Sequence, residues 1–103
     1  MSGWTKVAKR ADVKPDAALV VDAGHTRVAL FDIGGTIFCI EDVCTHDDGP
    51  VAEGPVHGDV IECPRHGARF DIRTGAVLSM PAVVPIRTFP AKVDGDDVLV
   101  DLE

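Results

Sequence analysis

The sequence predicts an all-β fold, a sandwich or barrel of short strands. Three observations predict it. Turn-forming pairs recur at short intervals, from Ala23-Gly24, Gly34-Gly35, Gly49-Pro50 and Gly54-Pro55 to Gly58-Asp59, Thr74-Gly75 and Asp94-Gly95. The segments between them are rich in Val, Ile and Phe. No segment sustains helical periodicity. Frequent turns between short β-prone runs are the pattern of sandwiches and barrels.

Taken in order, the expected strands are Leu19 to Asp22, Thr26 to Ile33, Thr36 to Glu41, Val60 to Cys63, Arg69 to Ile72, Arg87 to Val93 and Val98 to Leu102. Thr26 to Ile33 and Thr36 to Glu41 are joined by Gly34-Gly35 alone, which reads as a hairpin on a two-residue turn. The 103 residues are expected to form one domain, 1–103, able to bury a core of its own. Hydrophobic residues make up 46% of the chain, which excludes a disordered chain. There is no repeat and no low-complexity tract.

The formal net charge of −7 argues against nucleic acid, whose phosphates would repel it. An acidic surface suits either steering toward a basic partner or simple solubility. No apolar run approaches the length of a membrane span, and Met1 to Lys6 lacks the apolar core of a signal peptide. The expectation is an untethered, cytoplasmic protein.

Two short motifs carry the chemistry, Cys44-Thr45-His46 and Cys63-Pro64-Arg65-His66. Each pairs a soft thiolate with a nearby imidazole. Two thiolates and two imidazoles suit one zinc ion, or a [2Fe–2S] cluster in which histidines replace cysteines on one iron. Structural zinc sites usually group like ligands in C-x₂₋₄-C and H-x₃₋₅-H knuckles. Here each loop holds one of each kind, which favours the cluster and leaves a zinc-stabilised binding module as the alternative. Both motifs fall where strands stop, in loops crowded with glycine and proline, as close approach of backbone to a cluster requires.

Of the three cysteines, Cys39 then has no partner. It lies in the apolar run Thr36 to Ile40 and reads as a buried thiol acting as a small hydrophobe, in a reducing compartment. His25 and His57 sit in turn-like segments outside the motifs and read as surface histidines. Trp4 reads as an anchor for the N-terminal end of the chain.

With these motifs, the chain resembles the Rieske iron–sulfur proteins, and within them the small Rieske-type ferredoxins of aromatic-ring-hydroxylating dioxygenase systems. Gly67 after His66, Phe70-Asp71, Thr74-Gly75 and Met80-Pro81-Ala82 extend the resemblance. The resemblance implies a β-sandwich base with a small two-loop cluster-binding subdomain, its loops at about 43–49, 63–68 and 80–82. It implies one Rieske-type [2Fe–2S] cluster held by Cys44, His46, Cys63 and His66, with Pro81 as a cap. Cys44 and Cys63 would bind one iron and His46 and His66 the other, the imidazoles at the tip as the electron exit.

By the same resemblance the protein is no enzyme. It is a one-electron carrier between an NAD(P)H-dependent flavoprotein ferredoxin reductase and a terminal non-haem iron oxygenase. A Rieske subunit of a nitrite-reductase-like system is the alternative within electron transfer. Asp47, Asp48 and Arg65 read either as partner-recognition residues or as solvated loop charges.

The sequence also departs from the high-potential branch of the family. That branch has Ser and Tyr hydroxyls donating to cluster-side sulfurs where this chain has Ala68 and Phe70. It has an interloop disulfide where this chain has Gly49 and Arg65. Replacing two thiolates by neutral imidazoles raises the potential of any such cluster, but without those donors the reduced form is less stabilised. The expectation is a potential toward the ~−150 mV end of the Rieske range.

Overall fold

The run Val28-Ala29-Leu30-Phe31 is apolar at four successive positions, too continuous for a strand with one wet face. In the computed structural model, which describes residues 3–45, 47–80, 82 and 84–102, it is the middle of a central strand. Counting strands in chain order, β1 is Trp4–Lys9, β2 Leu19–Ala23, β3 Thr26–Ile33, β4 Thr36–Glu41, β5 Val56–His57 and β6 Val60–Glu62. β7 is Arg69–Asp71, β8 Val77–Ser79, β9 Thr88–Phe89, β10 Ala91–Asp94 and β11 Asp97–Asp101. A single 3₁₀ turn, Arg10–Asp12, is the sole helical element among the described residues. No helix there is long and apolar enough to cross a membrane.

The strands form three antiparallel sheets, ordered β2-β3-β4-β9, β1-β11-β10 and β5-β6-β7-β8. Alternation along β3 divides the interior between two cores. Val28 and Leu30 join Ile37, Cys39 and Phe89 against Val98 and Val100 of β11. Ala29 and Phe31 join Ile40 on the other face, against Ile61, Phe70 and Ile72 and the residues of the loops that follow β4 and β6. The β2-β3-β4-β9 sheet is thus a shared middle layer. One side makes the base and the other carries the loops of interest. Phe31 and Phe70 are the largest fully buried side chains, and both face the loop side. Burying each contributes on the order of 2–3 kcal/mol.

The expected hairpin is present. Ile33 pairs with Thr36, and Gly34 and Gly35 both have positive φ, as the twist-matched two-residue turn demands. Asp32 accepts a hydrogen bond from Gly35 N–H and another from Arg10.

The expected strand Arg87 to Val93 is instead two. Phe89 pairs with Cys39 in one sheet and Ala91 with Val100 in another. Pro90, lacking an N–H, stands at the switch. Three strands were not expected from sequence. β5 and β8 are short, and β1 interleaves lysines with its partly buried residues. Trp4 pairs with Asp101 in the sheet and Lys92 lies over its ring, so the N-terminal strand is tied to β11 and β10.

Candidate metal centre

Cys44 follows β4 and Cys63 follows β6, and the two loops they open share one backbone design. In the first, Cys44 N–H donates to Gly49 O (2.7 Å) and Asp48 N–H donates to Cys44 O (2.7 Å). In the second, Cys63 N–H donates to Ala68 O (2.7 Å) and Gly67 N–H donates to Cys63 O (3.1 Å). Each loop therefore closes from the cysteine to the fifth residue on and back from the fourth. The fourth residue has positive φ in both, 61° at Asp48 and 77° at Gly67. Glycine meets that demand without strain and aspartate is among the side chains that tolerate it.

Folded this way, the loops bring their cysteines together. Both are buried, and their sulfurs and an Asp47 carboxylate oxygen all lie within 4.8 Å of one another. His66 stands at the edge of this group, its side chain 50% exposed and its Nδ1 3.6 Å from Asp47 Oδ2. His46 and Pro81 lie outside the described residues. The neighbours of Cys44 and Cys63 in the loop-side core include Val51, Ile61, Ala68, Phe70 and Ala82, none of which has a hydroxyl.

Side chains fasten the loops. Asp42, just after β4 and only 8% exposed, accepts hydrogen bonds from Val51 N–H (2.9 Å) and Ala52 N–H (2.8 Å) through one carboxylate oxygen. Thr45 Oγ1 donates to Val84 O, tying the first loop to the segment after Met80. Arg65 reaches from the second loop into the first. Its Nε and Nη2 donate to the two oxygens of Asp47 (2.5 and 3.0 Å), and Nη2 also donates to Pro50 O (2.8 Å). The hydrogen bond from Arg65, then that from Gly49 N–H, holds the Asp47 carboxyl well below the usual carboxylate range. Asp47 and Arg65 are thus occupied with each other. Asp42 escaped sequence reasoning, its sole signal being an acidic residue two positions before a cysteine at a strand end.

The remaining candidates fall outside the centre. Cys39 points into the opposite core, where burial pushes its thiol up to about 12. His25 is exposed in the β2–β3 turn, and His57 is exposed with Nε2 3.4 Å from Glu62 Oε1.

The model of the Rieske [2Fe–2S] domain matches residues 3–90. The chain belongs to the Rieske [2Fe–2S] domain family. It is 42% identical to the ferredoxin component of biphenyl 2,3-dioxygenase from Rhodococcus jostii (strain RHA1), covering 96% of this chain and 92% of that one. The solved ferredoxin of carbazole 1,9a-dioxygenase from Nocardioides aromaticivorans IC177 superposes with a TM-score of 0.92 at 33% identity, covering 99% of this chain and 100% of the other. A chain from the complex of reduced oxygenase and oxidised ferredoxin in carbazole 1,9a-dioxygenase superposes with a TM-score of 0.89 at 35% identity, covering 98% and 94%.

The relatives at about 40% identity are named as ferredoxin components of dioxygenases, the electron-carrying part of such systems. The residues present fit the family's cluster. Two buried thiols close together supply soft ligands for iron, and an imidazole stands at the exposed edge of the same group.

Proposed function

We propose that Cys44 and Cys63 hold one iron of the [2Fe–2S] cluster, that His46 and His66 hold the other, and that Pro81 caps it. The loops at about 43–49, 63–68 and 80–82 of a single domain, 1–103, would then form the centre. The protein carries single electrons from an NAD(P)H-dependent flavoprotein reductase to a terminal non-haem iron oxygenase that hydroxylates an aromatic ring, in the cytoplasm. The observation that carries this reading is the burial of Cys44 and Cys63 side by side in two matching loops, with His66 half exposed beside them. The relatives named as ferredoxin components of aromatic dioxygenases support the partner and the substrate class.

When bound, the cluster supplies a one-electron couple. The chain's own residues set its surroundings. The buried thiols stand away from water, and the exposed imidazole edge is where a partner's acceptor can approach closely. Ala68 and Phe70, both fully buried beside the cysteines, offer no hydroxyl to the sulfurs. That supports a potential toward ~−150 mV, and a redox titration above about +100 mV would refute it.

The test is an EPR spectrum of the dithionite-reduced protein, purified without added metal, followed by electron transfer assays with candidate reductases and oxygenases. A rhombic signal that is present in the wild type and absent from His66→Ala and Cys63→Ala variants, neither of which keeps a ligand atom there, is the expected result. A colourless, EPR-silent protein holding stoichiometric zinc would overturn the reading, since zinc is redox-silent.

A further inference from the structure

Among the described residues Arg65 makes three side-chain hydrogen bonds, and all three cross from the second loop to the first. Two form a fork on Asp47, and the third goes to the Pro50 carbonyl. The geometry is bidentate, the form in which an arginine–carboxylate pair is strongest and most specific in direction. The side chains are only 33% and 21% exposed, so the pair is screened less than an ordinary surface pair.

Gly49 completes the arrangement. A Cβ at Gly49 would stand 2.7 Å from Arg65 Nη2 and 2.8 Å from Cζ, so the guanidinium lies directly over bare backbone. Any side chain at position 49 would push the fork aside. Gly49 is also the residue whose carbonyl closes the first loop onto Cys44 N–H, and its own N–H donates to Asp47 Oδ1. One guanidinium thus touches an acid, a carbonyl and a glycine of the loop that presents Cys44, from a residue two positions past Cys63. The pair adds no net charge beside the sulfurs.

We propose that Arg65, Asp47 and Gly49 form a noncovalent latch that sets the separation of the two cysteine loops and thereby controls retention of the metal centre. This rests on reading Cys44, His46, Cys63 and His66 as its ligands. Arg65 and Asp47 are positioning residues, since they act through the loops. The latch is geometric: the fork and the space above Gly49 matter, and the positive charge alone does not suffice.

Three variants separate shape from charge. Gly49→Ala changes no charge and displaces the guanidinium. Arg65→Lys keeps the charge and loses the fork. The double variant tests whether the two act through one device. The oxidised holoprotein is challenged anaerobically with excess EDTA, which binds ferric iron, and bleaching of the visible absorption gives the rate of cluster loss. Each single variant is expected to lose its cluster about tenfold faster, with the redox midpoint unchanged. The double variant is expected to be no faster than either single one, because the second change removes nothing further. Arg65→Gln leaves Asp47 uncompensated beside the sulfurs, so it speeds loss and also lowers the midpoint.

Wild-type loss rates in both Gly49→Ala and Arg65→Lys would overturn the latch. So would additive effects in the double variant. Hydrogen exchange of segment 44–50 in the protein as isolated reads the same device without the cluster, and both variants are expected to exchange faster there. A wild type with no cluster but with faster exchange in both variants would sink the ligand reading, and with it control of retention, while leaving the contact between the loops. A wild type with a cluster but no exchange difference would do the reverse.

Discussion

Replacing Asp42 by alanine should release the first cysteine loop, and the structure gives the size of the effect. One buried carboxylate oxygen accepts from Val51 N–H at 2.9 Å and from Ala52 N–H at 2.8 Å. Hydrogen bonds to a charged group contribute about 1.5–3 kcal/mol each, and a buried donor left without an acceptor costs about 1–3 kcal/mol. Val51 is fully buried, so its N–H has little access to replacement water, whereas Ala52 is partly exposed and recovers some of its loss. A net cost of about 3 kcal/mol follows. These contacts hold the far end of the loop, and if they break before the unfolding barrier, unfolding speeds up about a hundredfold. The assay is the rate of visible bleaching when the holoprotein is mixed into urea. Asp42→Asn is the control, because its amide oxygen can accept both bonds without charge; it should cost about 1 kcal/mol, roughly a fivefold change. An alanine variant that bleaches within twofold of wild type would refute the claim that this carboxylate fastens the loop.

The other expectations concern both cores and the turns. Burial pushes the Cys39 thiol up to about 12 from its ordinary 9.0, so its stabilising contribution is complete below pH 9 and is lost as pH rises toward 12. Iodoacetamide at pH 8 should leave Cys39 unmodified in the folded protein, and Cys39→Ala should flatten the alkaline fall in stability; labelling at the folded protein's surface rate would contradict both. The hydrogen bond from Arg10, then that from Gly35 N–H, lowers the pKa of Asp32, so its contribution is present above the unfolded value of 3.8 and fades as pH falls through the lower folded value. Thermal unfolding should therefore separate wild type from Asp32→Asn at pH 6, with the gap closing below pH 3.8. Gly54→Ala would place a Cβ 1.7 Å from Glu62 O, a backbone atom that cannot swing away, so the variant should fail to accumulate as folded protein in expression trials. Phe70→Tyr should raise the midpoint in a redox titration by roughly 40 mV for each ~1 kcal/mol of hydrogen bonding gained in the reduced state, and an unchanged midpoint would show that the hydroxyl does not reach a sulfur.

Legibility in the sequence tracked how local the physics was. The hairpin from Thr26 to Glu41 is written in adjacent residues, two β-prone runs around a glycine pair, and it stands at the expected boundaries. β5 and β8 have two and three residues and exist because β6 and β7 offer them edges, which no local pattern announces. The continuous apolar run of β3 announced burial but not the two cores it separates. Cys39 was readable as inert, because the run around it has no polar neighbour that could activate a thiol. Spacing alone singled out the Cys44 and Cys63 loops. It left Arg65 and Asp47 ambiguous, since their pairing depends on how two distant loops face each other and on the missing side chain at Gly49.

The unequal spacing of the two motifs has a structural consequence. With Cys44 and Cys63 as equivalent starting points, the loops have the same backbone hydrogen bonds at the fourth and fifth residues. The second and third residues are then His46 and Asp47 in one loop, and Arg65 and His66 in the other. Each loop offers one histidine and one charged side chain at this pair of positions, in opposite order. Asp47 and Arg65, the charged members, meet each other across the gap. Had both motifs been C-x-H, the two charges would occupy the same offset in matching loops, and the fork of Arg65 on Asp47 would need a different backbone. The difference of one residue between the motifs therefore lets two loops with matching closures at the fourth and fifth residues bring their charged members together as an ion pair.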